Sequence, residues 1–138
     1  MKYLLDANVI SELLKPAPAS LVVAWMQAHQ DESALGALTI AELAAGVEDM
    51  PDGKRKAALA KELRFLREDY ADRILPFDEA AAWEWARYLY EVKAAGCVPP
   101  LMDSLLAAVA RARGLKVATR NTTDCPLIEV VNPFEPES

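Results

Sequence analysis

Four carboxylates stand where a chain of alternating strands and helices would gather them: Asp6, Glu42, Asp103 and Asp124. Asp6 follows the apolar run Tyr3-Leu4-Leu5. Glu42 falls in the first turn of a helix opened by Thr39-Ile40-Ala41. Asp103 begins a helix that leads to a strand at 116–119, and Asp124 lies in the loop after that strand. Carboxylates offer only oxygen, which suits Mg2+ or Mn2+ better than Zn2+. Two unit charges about 4 Å apart repel by roughly 4 kcal/mol at an effective dielectric near 20. A cluster of four must therefore be partly protonated or neutralised by a cation. A cation held this way polarises a phosphodiester and activates water without any histidine.

Other chemistries lack their residues. The chain has one histidine, His29, inside an amphipathic helical pattern, where it reads as a packing residue. That excludes a Ser-His-Asp triad and a paired-histidine nuclease. No G-x-S-x-G, G-x-x-x-x-G-K-[ST] or G-x-G-x-x-G is present, and five scattered glycines build no phosphate cradle. Histidine and cysteine are too few for a zinc site.

The elements that must position the carboxylates are readable. Residues 3–5 form a continuous apolar run, as in a strand buried on both faces. Helices are expected at 9–15, stopped by Pro16, and from Ser20 to near 30. A second strand at 34–38 leads into a helix from Thr39 to about 47. After the turn Pro51-Asp52-Gly53, a long helix covers 54–70. Residues 74–77 are a short strand or an extended link. Asp78 caps a helix to about 95, ended by Gly96, and a helix at 102–113 ends at Gly114. Strands follow at 116–119 and 128–131. This alternation predicts one α/β domain over 1–132, with a doubly wound, mainly parallel sheet, and a frayed tail over 133–138. In such a sheet, ligands bind at the carboxyl ends of the strands.

Composition narrows the partners. The chain has 138 residues, 53% hydrophobic, enough for one real core. The net charge of −6 weighs against a protein that holds nucleic acid by a broad basic surface. No apolar stretch is long enough for a membrane span, and Asp6 and Glu12 interrupt any signal core, so a cytoplasmic protein is expected. Cys97 and Cys125 then read as free thiols. The basic residues at 54–67 alternate with Glu62 and Glu68 and read as a solvated face. Trp83 and Tyr90 share one face of their helix, and Trp85, Leu89 and Val92 mark another. A helix apolar on two sides suggests core plus a subunit interface, hence a homodimer.

Each carboxylate also has an ordinary explanation. Asp6 fits a helix cap, Thr39-x-x-Glu42 a capping box, Asp103 a helix-dipole partner and Asp124 an Asx turn. The functional reading rests on all four falling at strand ends of one fold.

The motifs Leu4-Leu5-Asp6-Ala7-Asn8, Leu38-Thr39-Ile40-Ala41-Glu42-Leu43, Met102-Asp103-Ser104-Leu105-Leu106 and Ala118-Thr119-Arg120-Asn121-Thr122-Thr123-Asp124, in this order and spacing, resemble a PIN domain of the VapC type. FitB-like toxins of type II toxin–antitoxin systems share them. Leu75-Pro76-Phe77-Asp78 and Val131-Asn132-Pro133-Phe134 extend the likeness over almost the whole chain. One departure is Cys125, where the family usually has an aromatic residue. The resemblance implies a three-layer α/β/α sandwich and a Mg2+- or Mn2+-dependent endoribonuclease toxin. It also implies a VapB- or FitA-like antitoxin that covers the acidic site. By motif position, Asp6 and Asp103 would be the most direct metal ligands. Glu42 and Asp124 would bind a second ion or position water. Asn8, Thr39 and Asn121 would support the carboxylates, and Arg120 would meet substrate phosphate. The alternative is a receiver-like signalling module with an acidic Mg2+ pocket. It would want an adjacent acidic pair after the first strand and a later lysine, where this chain has Asp6-Ala7-Asn8 and Arg120.

Overall fold

In the computed structural model, which describes residues 1–122 and 127–137, five parallel strands form one sheet in the order β3-β2-β1-β4-β5. They are β1 (Tyr3–Leu5), β2 (Ser33–Gly36), β3 (Ile74–Leu75), β4 (Lys116–Ala118) and β5 (Val130–Val131). Six α-helices connect them: α1 (Ala7–Leu13), α2 (Ser20–His29), α3 (Ala37–Glu48), α4 (Lys54–Asp69), α5 (Glu79–Ala94) and α6 (Leu101–Arg113). The expected parallel α/β/α architecture is the one observed. Strand β1 lies at the centre, with Leu5 opposite both Leu35 and Ala118.

The pleat sends alternate side chains to opposite faces. Leu5 joins Leu35 and Ala118 beneath Val9, Ile10, Val22, Trp25 and Tyr70. Its neighbour Leu4 joins Ala34 and Val117 beneath Ala81, Leu106 and Val109. Both leucines are fully buried, so the unbroken apolar run reflects a strand covered on two sides.

Several local expectations are corrected. Helix α3 begins at Ala37, two residues before Thr39, with Gly36 at its N-cap. Thr39 makes no capping box; its hydroxyl donates to the Leu5 carbonyl (3.2 Å). The start of the expected frayed tail packs, while residues 135–137 are exposed. Pro133 is buried and Phe134 packs on the core, while Glu137 pairs with His29. His29 stands beside Tyr3 and Trp25, at the amino ends of β1 and β2 and so away from the carboxyl rim, as a packing residue. Cys97 is disulfide-bonded, where a free thiol was expected; Cys125 lies outside the described residues. On α5, Tyr88 and Val92 are buried, but Trp83 and Tyr90 are 68% and 69% exposed. That face is uncovered by the chain itself. Among the described residues no helix is long and apolar enough to cross a membrane.

Candidate active site

Parallel strands carry their carboxyl ends to one rim, and the chain turns there into three helices. Asp6 leaves β1 and caps α1, its Oδ1 accepting the Ala7 N–H (2.7 Å). Its own N–H donates to the Ala118 carbonyl of β4 (2.9 Å), which locks it beside the next strand end. Capping and a place in the site thus coexist at this residue.

The other carboxylate oxygen is held from β4. Thr119 Oγ1 donates to Asp6 Oδ2 (2.8 Å), and Asn8 Nδ2 reaches the same oxygen (3.3 Å) and Thr119 Oγ1 (3.0 Å). Asn8 Oδ1 accepts the Arg120 N–H, and Thr119 Oγ1 accepts the Asn121 N–H (3.1 Å). Asp6 is only 9% exposed, and this network sets its rotamer. Thr119 is the member that the sequence reading did not single out. Its signal was register: it follows β4 as Asp6 follows β1, on an adjacent parallel strand.

A cavity of about 40 Å³ opens on Asp6 and is lined also by Asp103, Thr119, Asn121, Tyr88 and Leu106. Asp103 enters from the first turn of α6 and is half-buried. Burial pushes the Tyr88 phenol up in pKa; Arg111 opposes this and Asp103 adds to it. Glu42, on α3, does not line that cavity; it lines a neighbouring groove with Ser11, Lys15 and Leu43. Its carboxyl is raised above the usual carboxylate range by burial first, then by Asp6 and Asp103. Three predicted acidic residues therefore share one electrostatic field. Thr39 lies behind them, bonded to backbone. Asn8 bridges, Asn121 lines the cavity, and Arg120 stands at the outer edge. Asp124 lies outside the described residues.

The donor set is all oxygen, as a hard cation prefers. Among the described residues, no three His, Cys, Asp or Glu side chains close into a metal cage. Mg2+ does not require one: it usually keeps several waters and takes one or two carboxylates plus substrate phosphate.

The raised Glu42 carboxyl has a consequence for stability. The folded state holds that proton more tightly than the unfolded chain. The resulting stabilisation is complete below the unfolded value, near 4.5, and is lost as pH rises through the folded value. Glu42→Gln does not titrate. In EDTA it should melt above wild type at neutral pH, the gain shrinking as the pH falls towards 4.5. Thermal melts across that range check it, and a gain that grows towards acid would contradict the sign.

A central parallel sheet with acidic side chains gathered at its carboxyl rim defines a class, and the chain belongs to it: residues 3–123 match the family model described as PIN domain. Among its relatives is VapC ribonuclease Y4jK of Sinorhizobium fredii, 40% identical over 136 residues, 96% of this chain and 97% of that protein. Toxin FitB of Neisseria gonorrhoeae is 42% identical over 121 residues, covering 86% and 87%. The structure of FitAB bound to an IR36 DNA fragment superposes with a TM-score of 0.92 at 36% identity, over 99% of this chain and 98% of that one.

Proposed function

We propose that this chain is the toxin of a VapBC-type toxin–antitoxin pair, an endoribonuclease that needs Mg2+ or Mn2+ and hydrolyses RNA phosphodiester bonds with activated water. The observation that carries the reading is the oriented Asp6 carboxylate, in one field with Glu42 and Asp103, at the carboxyl rim of a PIN-domain sheet. Relatives of 40% and 42% identity bear the names ribonuclease and toxin. Receiver-like signalling has no comparable support.

Asp6 and Asp103 would hold the cation. When bound, the metal supplies charge for the leaving oxygen and lowers the pKa of the attacking water. Thr119 and Asn8 keep Asp6 in the rotamer that faces the cavity. Glu42, with its raised proton affinity, orients the attacking water from the α3 side. Asp124 would complete the acidic set.

A cognate antitoxin would cover this rim. The α3–α4 pair leaves a groove of about 370 Å³ lined by Ile40, Ala44, Val47, Ala60 and Leu63, with Arg64 and Glu68 at its edges. A second groove continues from α4 to Glu42. An amphipathic segment laid in such grooves reaches the acidic site. Trp83 and Tyr90 would form a homodimer face.

The test is RNA cleavage by purified, antitoxin-free protein in Mg2+, Mn2+ or EDTA. Cleavage in either metal and none in EDTA is expected. Equal cleavage in EDTA, or none with any metal, contradicts the proposal.

A further inference from the structure

Glu12 is a buried carboxylate that the mechanism above leaves unused. It is 6% exposed and lies on α1, six residues beyond Asp6. Oε2 accepts the Ala19 N–H (2.9 Å), fixing the carboxylate plane. Oε1 receives Lys15 Nζ (2.9 Å) and faces Arg120 Nη2 at 3.9 Å. Two cations far apart in sequence therefore converge on one oxygen. Lys15, then the Ala19 N–H, hold the Glu12 carboxyl below the usual range, so it stays ionised at neutral pH.

Arg120 is constrained at both ends. Its backbone N–H donates to Asn8 Oδ1, the residue that also bonds Asp6. Its guanidinium lies 3.8 Å from the centroid of the Phe134 ring. Among the described residues the guanidinium donates no hydrogen bond. Its planar fork of donors therefore remains able to take a phosphate. The Lys15 and Arg120 side chains are 57% and 58% exposed. Together with Glu12 they carry a net charge of +1 beside an acidic cavity, in a chain of net charge −6. A polyanion approaching that cavity needs such a foothold.

We propose that Glu12 and Phe134 form a mount that presents Arg120 and Lys15 as a clamp for the RNA phosphates flanking the scissile bond. The identity of the polyanion rests on the ribonuclease reading. Glu12 and Phe134 are positioning residues in this scheme; Arg120 and Lys15 do the binding. The C-terminal segment thereby gains a role, because it supplies the ring on which Arg120 rests.

The experiment measures binding of a short fluorescein-labelled single-stranded RNA by anisotropy in EDTA, over a salt series. Each phosphate neutralised contributes about 0.7 to the slope of log affinity against log salt. Arg120→Ala and Lys15→Ala should each flatten the slope by about that amount. Phe134→Leu should weaken binding by about threefold, and Phe134→Trp should restore it. Phe134→Leu should cost nothing further in the Arg120→Ala background, which a merely structural role would not produce. Glu12→Gln removes a negative charge, so bulk electrostatics predicts tighter RNA binding; the mount predicts weaker binding.

Wild-type slopes in Arg120→Ala or Lys15→Ala would overturn the proposal. So would an undiminished Phe134→Leu effect without Arg120, tighter binding by Glu12→Gln, or a wild-type chain that binds no RNA. Protein that shows the expected slopes yet leaves RNA uncut in Mg2+ and Mn2+ upholds the clamp and fails the nuclease reading. Protein that cuts RNA with unchanged slopes does the reverse.

Discussion

Asp103→Asn and Asp6→Asn should each reduce RNA cleavage by about a thousandfold or more, while the protein stays folded. The substitutions keep shape and volume but remove the charge proposed to hold the cation. Asp6 is tightly constrained. Its oxygens take the Ala7 N–H, the Thr119 hydroxyl and the Asn8 amide, and an asparagine there must present its own NH2 to one of these donors. Asp6→Asn should therefore also lose some stability, whereas Asp103→Asn relieves part of the field that raises Glu42. Single-turnover cleavage in Mg2+, with a thermal melt of each variant, makes the check. Wild-type rates from either variant would contradict the assigned roles.

The largest expected effect on stability comes from the centre of the sheet. Leu4→Ala and Leu5→Ala should each cost about 2–5 kcal/mol, as other fully buried leucines do. Both residues are at 0% exposure, one under α5–α6 and the other under α1–α2. For a domain of this size the melting temperature should fall by roughly 10 °C. The paired design tests the three-layer fold, because each variant empties a different layer. A loss below about 1 kcal/mol from one of them would mean that its side of the sheet is not a packed core. Leu5→Ala also loosens the strand end beneath Asp6, so its cleavage rate should fall further than that of Leu4→Ala.

Much of this arrangement was legible beforehand because strand burial and strand ends leave plain marks. Tyr3-Leu4-Leu5 announced a strand covered on both faces, and Asp6 and Asp103 fell at turns where a parallel sheet collects ligands. Glycine at 114 closed α6 at the expected place, with φ 68°. What was missed depends on register and on contacts distant in sequence. The start of α3 at Ala37 could not be separated from a strand running to Leu38, since Ala and Leu suit either state. That two-residue shift turned Thr39 from a cap into a donor to the Leu5 carbonyl. Thr119 became a partner of Asp6 only once β1 and β4 were known to be adjacent and parallel. Nothing local marks Phe134 as the platform for Arg120, or Glu12 as a partner of Arg120, although Glu12 and Lys15 stand at the i,i+3 spacing of a local pair. The two Arg120 pairings exist only in three dimensions, and a polar tail such as 133–138 reads as loose without them.

The most direct test of the central claim is an anomalous difference map from crystals of the protein soaked in Mn2+. The account predicts a peak within about 2.5 Å of carboxylate oxygens from both Asp6 and Asp103, inside the cavity that Thr119 and Asn121 also line. A map with Mn2+ bound elsewhere, or with Asp6 and Asp103 each facing away from any ion, would contradict it.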